Sequence, residues 1–229
     1  MASIKEKLLY LQEAGITHLV PRGEASPVAS SAEPSAPFPP ADDDPWEALR
    51  REVFSCQLCS LHATKTNYVF GEGDRRAKLM FVGEAPGADE DQEGRPFVGR
   101  AGQKLTEMIK AMGFSREEVY IGNIVKCRPP NNATPDPKLR ATCFPFLQRQ
   151  ISLIAPQILI TLGNVPTQTL LETRDTITHL RGHWGSYKGI PLMPTFHSSY
   201  LLRNYTVETR KAVWSDLQLV LALMKDVSR

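Results

Sequence analysis

Cysteine is scarce in this 229-residue sequence, with only four residues, which excludes a disulfide-stabilised scaffold. Long apolar runs are also absent, because no stretch approaches the roughly 20 consecutive apolar residues of a membrane-spanning helix. The first residues alternate charged and apolar side chains and so lack the apolar core of a signal peptide. We therefore expect a cytoplasmic protein without membrane contact, in which thiols are metal ligands, catalytic groups or inert.

Apolar residues make up 41% of the chain and charged residues 23%, a balance that supports a hydrophobic core and excludes global disorder or a fibrous fold. The net charge of +2 hides an asymmetry. Residues 1–45 carry three basic and seven acidic side chains, whereas the rest carries 24 basic and 18 acidic ones, a net charge of +6. That excess suits an anionic partner such as nucleic acid, although many enzymes carry a similar excess without such a partner.

Three segments are predicted along the chain. A capping-box spacing and apolar residues at helical intervals predict an amphipathic helix within residues 1–22, which would either dock a protein partner or pack on the folded domain. Residues 23–45 are rich in Pro, Ala and Ser and are predicted to be a linker. Asp44 and Pro45 resemble a helix cap and a first-turn proline, so the folded domain is expected to span residues 46–229.

Short apolar runs alternate with helical patterns in the folded region. Strands are predicted at residues 79–82, 119–125, 158–162 and 192–196, and helices at residues 103–112 and 208–224. Strands separated by helices favour a parallel sheet with both faces covered. Because ligands bind at the carboxyl ends of such strands, functional residues are expected there.

An acid, an amide and an imidazole stand at equivalent strand ends: Glu84, Asn123 and His197. Gly83 to Gly87 form a tight turn whose backbone amides are able to face a ligand. Taken singly, a plain turn or a structural histidine explains each feature. Their coincidence at one edge of one sheet favours a binding site.

The cysteines give an independent signal. Cys56 and Cys59 form a C-x2-C pair, and Cys127 and Cys143 lie far downstream with fifteen residues between them. A zinc ribbon normally has a second short pair, so the spacing disfavours it, but zinc held by four thiolates stays open. An iron–sulfur cluster tolerates dispersed thiolates. A shared four-thiolate site is therefore expected.

Together these motifs resemble the family 4 uracil-DNA glycosylases. The resemblance runs from about Ser55 to the C-terminus and rests on the following segments: Cys56-x2-Cys59, Gly83-Glu84-Ala85-Pro86-Gly87-Ala88-Asp89-Glu90-Asp91, Gly94-Arg95-Pro96-Phe97-Val98-Gly99, Asn123, Lys126-Cys127-Arg128-Pro129-Pro130, and His197 with Tyr200-Leu201-Leu202-Arg203. It implies a three-layer α/β/α fold with a short central parallel sheet. It also implies a 4Fe-4S cluster, no catalytic metal, and excision of uracil from single- or double-stranded DNA in base excision repair by a monomer.

The same resemblance implies roles for single residues. Phe97 would stack on the flipped uracil, Asn123 would pair with its Watson–Crick edge, and His197 would hydrogen-bond O2. Glu84 would lie beside the sugar and the attacking water, and Glu90 would fill the space where thymine carries a methyl group. These roles suit the chemistry, since an amide matches the donor and acceptor edge of uracil, and a histidine and a carboxylate stabilise opposite developing charges.

The remaining implied positions concern the pocket wall, the duplex and the cluster. Gly83 and Ala85 would line the uracil pocket, and the loop from Leu201 to Arg203 would enter the duplex and contact DNA. The cluster ligands would be Cys56, Cys59, Cys127 and Cys143. Basic neighbours of the cluster would offset its charge or bind phosphates; they are Lys126, Arg128, Lys138 and Arg140. The cluster is expected to be structural, because it closes a long loop, with a redox role as the alternative.

Two departures from the family pattern stand out. His197 is commonly followed there by Pro-Ala, whereas this chain has Ser198-Ser199, which is expected to loosen the turn that supports the histidine. The relative that traps DNA covalently has Gln at the position of Ala85 and an extra basic loop, so covalent capture is disfavoured here. Two other functions are weighed: an iron–sulfur DNA-binding redox protein without glycosylase activity, and a glycosylase for another deaminated base such as hypoxanthine.

Overall fold

The computed structural model describes residues 44–227, with side chains as far as residue 225. The predicted helix within residues 1–22 and residues 23–43 of the predicted linker lie outside the described residues. Helix α1 (Pro45–Phe54) begins one residue before the predicted boundary. Asp44 Oδ1 accepts a hydrogen bond from the backbone N of Trp46 at 3.0 Å, and the proline occupies the first turn. The predicted cap is thereby confirmed.

Within residues 44–227, six strands and seven further helices follow α1. The strands are β1 (Glu72–Gly73), β2 (Leu79–Gly83), β3 (Tyr120–Asn123), β4 (Ile158–Leu162), β5 (Gly185–Tyr187) and β6 (Ile190–Thr195). The helices are α2 (Ala88–Glu93), α3 (Arg100–Ala111), α4 (Pro137–Ile154), α5 (Asn164–Leu171), α6 (Ile177–Leu180), α7 (Ser198–Arg203) and α8 (Val207–Val227). Short 3-10 turns lie at Ser60–Ala63 and Pro130–Asn132. Among the helices described, none combines the length and apolar character of a membrane span.

The strands form one sheet in the order β1-β3-β2-β4-β6-β5. The four central strands are parallel and correspond to the four predicted ones, whereas the short edge strands β1 and β5 are antiparallel to their neighbours and were not predicted. In register, Gly83 pairs with Asn123 and Leu162 pairs with Thr195. The carboxyl ends of the central strands therefore meet at one edge of the sheet.

Helices cover both faces of this sheet, which confirms the three-layer α/β/α fold. Alternate residues of β2 point to opposite faces, as the pleat requires. Met80 and Val82 belong to a core cluster with buried residues of α1 and α4, and Leu79 and Phe81 belong to a second cluster with residues of α3 and α8. Burial of each such side chain contributes about 1.5–3 kcal/mol, so each helical layer is fixed mainly by its apolar stripe.

Helix α4 is the largest element missing from the sequence-based prediction. Pro145 lies within its 18 residues, and a proline in a helix interior removes a backbone donor, which argues against a continuous helix in the sequence. The helix nevertheless buries an apolar face against the sheet through Leu147, Ile151 and Ile154. Tertiary packing thus overrides the local signal.

Candidate active site

A cleft of about 890 Å³ opens at the carboxyl edge of the central strands. It brings together most of the residues singled out in the sequence. The predicted positions on its wall are Glu84, Ala85, Glu90, Phe97, Asn123, His197 and Arg203. They are positioned by strand ends, by the segment from the turn before α2 to the start of α3, and by α7 with its N-cap, as expected for an open parallel sheet.

Gly83 lies at the end of β2 and allows two of these side chains to approach closely. A Cβ atom at this position would lie 2.3 Å from Asn123 Oδ1 and 2.5 Å from Cζ of Phe97, distances that no side chain tolerates. The glycine is therefore needed where the amide and the ring meet. Gly83 thus serves the pocket by letting Asn123 and Phe97 approach each other, and it supplies no functional group.

Asn123 ends β3 and is 2% exposed. Its Oδ1 atom is buried and has no hydrogen-bond partner in the described part of the chain. A buried acceptor without a partner costs about 1–3 kcal/mol, and folded proteins rarely retain one without a reason. The residue also lines the cleft. An N–H group of a bound molecule would satisfy this oxygen.

Phe97 lines the same cleft with a strained backbone. Its φ angle of +52° is in the left-handed region, where an aromatic residue is an outlier that costs about 1–3 kcal/mol. Arg116 holds the segment, because its guanidinium donates to the carbonyl oxygens of Phe97 at 3.0 Å and Pro96 at 2.8 Å. Helix α3 packs so closely that a Cβ at Gly102 would lie 1.9 Å from the Phe97 oxygen. Sequence reasoning did not predict Arg116 as part of the site, since its contacts to the Phe97 segment are to backbone oxygens.

Glu90 is bound by three backbone N–H groups. Its Oε2 accepts from Gly87, and its Oε1 accepts from Val98 and Gly99, each at 3.0 Å. This carboxylate connects the turn after β2 to the segment that carries Phe97. The carboxylate of Glu90 is therefore bound within the fold and is not merely solvated.

His197 is partly buried beside Phe97, with their ring centroids 5.7 Å apart. Its Nδ1 atom lies 3.0 Å from the backbone N of Ser199 and 2.8 Å from that residue's Oγ. A backbone N–H only donates, so Nδ1 is the acceptor and the proton of the neutral ring is on Nε2. Burial lowers the pKa of His197 to about 4, and the positive charge of Arg203 acts in the same direction. The ring is therefore neutral at pH 7.

The two serines after His197 do not loosen its turn as expected. Ser199 contacts the ring nitrogen through both its backbone and its side chain, and His197 caps helix α7. Ser198 is fully buried. The expectation of a looser turn is therefore corrected, because a hydroxyl at residue 199 adds a tie that alanine lacks.

Glu84 follows Gly83 and is partly buried in the cleft. Burial raises the pKa of Glu84, while a hydrogen bond with Thr134 and the positive charge of Arg140 counteract the rise. Neither of these two partners was predicted to serve the carboxylate. They lie on the segment before α4 and on α4 itself, a helix that the sequence pattern did not reveal.

The predicted loop at Leu201 is a helix. Residues Ser198–Arg203 form α7, and the Leu201 side chain is 4% exposed within the same core cluster as Phe97. The expected insertion of Leu201 into a duplex is therefore not supported, because the side chain belongs to the core. Tyr200, 37% exposed and stacked on Phe196 with ring centroids 4.6 Å apart, lies at the cleft instead.

The four cysteines line one small cavity on the opposite side of β3 from the α3 layer. Burial and the neighbouring thiols raise the pKa of Cys127 to about 12; burial raises that of Cys143 to about 11, although Lys126 opposes the rise. Within residues 44–225, no group of three or more His, Cys, Asp or Glu is gathered closely enough to hold a metal ion. The donor set around the cavity is four sulfur atoms, which is the chemistry of an iron–sulfur cluster and also of a four-thiolate zinc site.

Lys126 is buried and does not face solvent. Its Nζ donates to the carbonyl oxygens of Phe70 at 3.1 Å and Asn123 at 3.0 Å and to Gln150 Oε1 at 2.6 Å. Its backbone N donates to Cys143 Sγ at 3.3 Å. The suggested phosphate contact of Lys126 is thus corrected, since the ammonium is enclosed between the cysteine cavity and the end of β3.

Comparison with protein families agrees with this geometry. Residues 70–218 match the family model described as "Uracil DNA glycosylase superfamily". The match covers the sheet and every wall of the cleft, and it places the chain in that superfamily.

Three curated relatives narrow the assignment, and each is named a type-4 uracil-DNA glycosylase. The relative from Thermotoga maritima is 44% identical over 183 residues, which are 78% of this chain and 94% of the relative. Those from Sulfurisphaera tokodaii and Archaeoglobus fulgidus are 44% and 42% identical, over 77% and 74% of this chain and 84% and 88% of the relatives. The chain belongs to the type-4 uracil-DNA glycosylases. The predicted family and enzyme class are confirmed, and neither alternative function gains support.

Proposed function

We propose that this protein flips uracil out of DNA and hydrolyses its N-glycosidic bond, leaving an abasic site for base excision repair. The unpartnered Oδ1 of Asn123 at the cleft is the observation that supports this function most directly. Uracil presents an N–H group between two carbonyl oxygens. Oδ1 would accept from that N–H while the amide nitrogen donates to the neighbouring carbonyl. Cytosine has an acceptor in place of the N–H and would leave two lone pairs facing each other.

The flipped base would also contact Phe97 and His197. Extrusion from a duplex costs a few kcal/mol, and stacking on an aromatic ring returns about 1–3 kcal/mol. As the bond between the sugar carbon and the base nitrogen breaks, its electron pair moves to the base and negative charge gathers on O2. The neutral Nε2–H of His197 would donate to that oxygen.

Glu84 would act on the sugar side of the same bond. Positive charge develops on the sugar as the base departs, and a carboxylate at the half-buried position of Glu84 would stabilise it more strongly than in open water. The oxygen of a water molecule then bonds to the sugar carbon and loses a proton, which in balance neutralises the departed uracil anion. Thr134 and Arg140 would favour the carboxylate form of Glu84 that this step needs.

We also propose that Cys56, Cys59, Cys127 and Cys143 hold a 4Fe-4S cluster. All four line one cavity, and their donor set is sulfur alone. Hydrolysis of the glycosidic bond involves no oxidation or reduction, so it requires no redox role of the cluster. The cluster would instead serve as a covalent cross-link between the segment before the sheet and α4. The exposed Arg203 at the cleft and the positive charge of the folded region would bind DNA phosphates, with the protein acting as a monomer.

One oligonucleotide assay tests the function. Purified protein is incubated with single- and double-stranded DNA that carries one uracil, and alkali then cleaves any abasic site. Matched oligonucleotides with thymine, cytosine or hypoxanthine at that position serve as controls. Cleavage with uracil alone is expected; intact uracil strands in both forms of DNA would refute the proposal.

Glu90 provides a prediction about discrimination against thymine. Glu90→Ala removes three charge-assisted hydrogen bonds and is expected to lower the free energy of unfolding by about 2–4 kcal/mol. The same change would open space beside the base, so excision of uracil with a bulky C5 substituent should rise relative to that of uracil. Chemical denaturation and single-turnover rates on the two substrates measure both effects.

Glu93→Ala is the matched control for this variant, because Glu93 ends the same helix α2 and is exposed. It should leave both measurements unchanged. If Glu90→Ala keeps the wild-type ratio of the two rates, Glu90 serves only to connect the two loops.

A further inference from the structure

Ser199 is the residue at which this chain adds a contact to the site. Its Oγ lies 2.8 Å from Nδ1 of His197, a contact that an alanine at this position would lack. The backbone N of the same residue lies 3.0 Å from the same nitrogen. Ser199 also lines the cleft. One ring nitrogen therefore faces two groups of one residue.

The donor inventory decides how these groups interact. Nδ1 already accepts a hydrogen bond from the backbone N–H of Ser199 and therefore carries no proton. The Ser199 hydroxyl, at hydrogen-bond distance from the same atom, can bond to it only as a second donor. In the tautomer with a proton on Nδ1, the ring N–H would face the backbone N–H of Ser199, and the hydrogen bond between them would be lost. The protonated ring would lose it in the same way. Alanine would preserve the backbone donor but would not supply the second one.

We propose that the Ser199 hydroxyl is a positioning group that holds His197 in the tautomer with its proton on Nε2 and fixes the angle of the ring. Nε2 is the nitrogen left free to donate to a base oxygen in the cleft. A ring tied at Nδ1 by two donors has less freedom to rotate than a ring tied by one. The effect of Ser199 on catalysis rests on the proposed function of His197. The hydrogen bond from Ser199 to the ring is independent of that function.

Ser198 offers a matched control within the same turn. Its Oγ is buried and has no hydrogen-bond partner in the described residues, and its side chain does not line the cleft. Ser198→Ala removes one hydroxyl, as Ser199→Ala does, but it removes no contact to the histidine. Ser199→Thr retains the hydroxyl and should rescue the wild-type behaviour.

The test uses nitrogen NMR of the full chain with labelled histidine, recorded without DNA, together with single-turnover excision of uracil. Ser199→Ala is expected to move the Nδ1 resonance of His197 and to slow excision about 3- to 10-fold, the range of one lost hydrogen bond. Ser198→Ala and Ser199→Thr should match the wild type in both measurements.

Two results would overturn the proposal: ring resonances or rates that stay unchanged in Ser199→Ala, or an equal effect of Ser198→Ala. The two measurements also separate this proposal from the proposed function. If the wild-type protein excised no uracil, the resonances would still show whether Ser199 sets the tautomer of His197.

Discussion

Replacing Asn123 by aspartate should slow single-turnover excision of uracil by about 30- to 900-fold and leave the protein folded. The carboxylate lacks the amide donor and places negative charge beside a uracil carbonyl, a loss of about 2–4 kcal/mol in transition-state stabilisation. The site cannot relax to avoid this, because Asn123 is 2% exposed at the end of a paired strand. Rates are measured at saturating enzyme, so that weaker binding of DNA by the variant does not affect the measured rate.

Asn131→Asp is the control for this variant. It makes the same chemical change on an exposed residue that does not line the cleft. It should keep the wild-type rate within about twofold, in the range of ordinary surface substitutions. A normal rate in Asn123→Asp, with thermal unfolding unchanged in both variants, would show that Asn123 does not read the base.

Cys127→Ala should abolish the cluster and most of the soluble protein. The wild type is expected to be brown, with about four iron and four sulfide ions per chain, and the variant colourless. A structural metal centre contributes on the order of 10 kcal/mol to folding where the site is not otherwise formed, while the whole stability of a domain is about 5–15 kcal/mol. Metal analysis and the yield of soluble protein measure the two effects.

Thr142→Ala serves as the control, since this half-buried residue lines the same cavity and its hydroxyl donates to the backbone oxygen of Lys138. It should retain iron and solubility. Detection of one zinc ion and no iron in the wild type would contradict the cluster and return the site to a mononuclear four-thiolate centre.

The sequence predicted the elements whose signal is local. The four central strands are apolar runs bounded by helical patterns, and their carboxyl ends carry Glu84, Asn123 and His197 at the same edge. Parallel pairing alone is enough to bring those ends together. The class of fold and the location of the cleft therefore followed from periodicity and residue type.

The rest depends on contacts between distant segments that periodicity does not encode. The ties of Glu90, and those of Arg116 to the segment that carries Phe97, run to backbone atoms, for which no partner side chain can be recognised in the sequence. Leu201 was expected at the surface because its motif suggested a loop, but the segment forms a helix and turns this side chain into the core. Helix α4 was not predicted because it contains Pro145, and proline disfavours a helix interior. Packing of the helix on the sheet outweighs this local preference.

The enclosed ammonium of Lys126 constrains how this chain can evolve. Loss of the lysine alone would leave the oxygens of Phe70 and Asn123 without that donor, and loss of Gln150 alone would remove an acceptor from a buried charge. Either single step costs several kcal/mol, and exchanging both residues for apolar ones does not avoid the cost, because the backbone oxygens of Phe70 and Asn123 would lose their donors. Substitution at these two positions should therefore be rare, and the residues found there should keep a donor for both backbone oxygens.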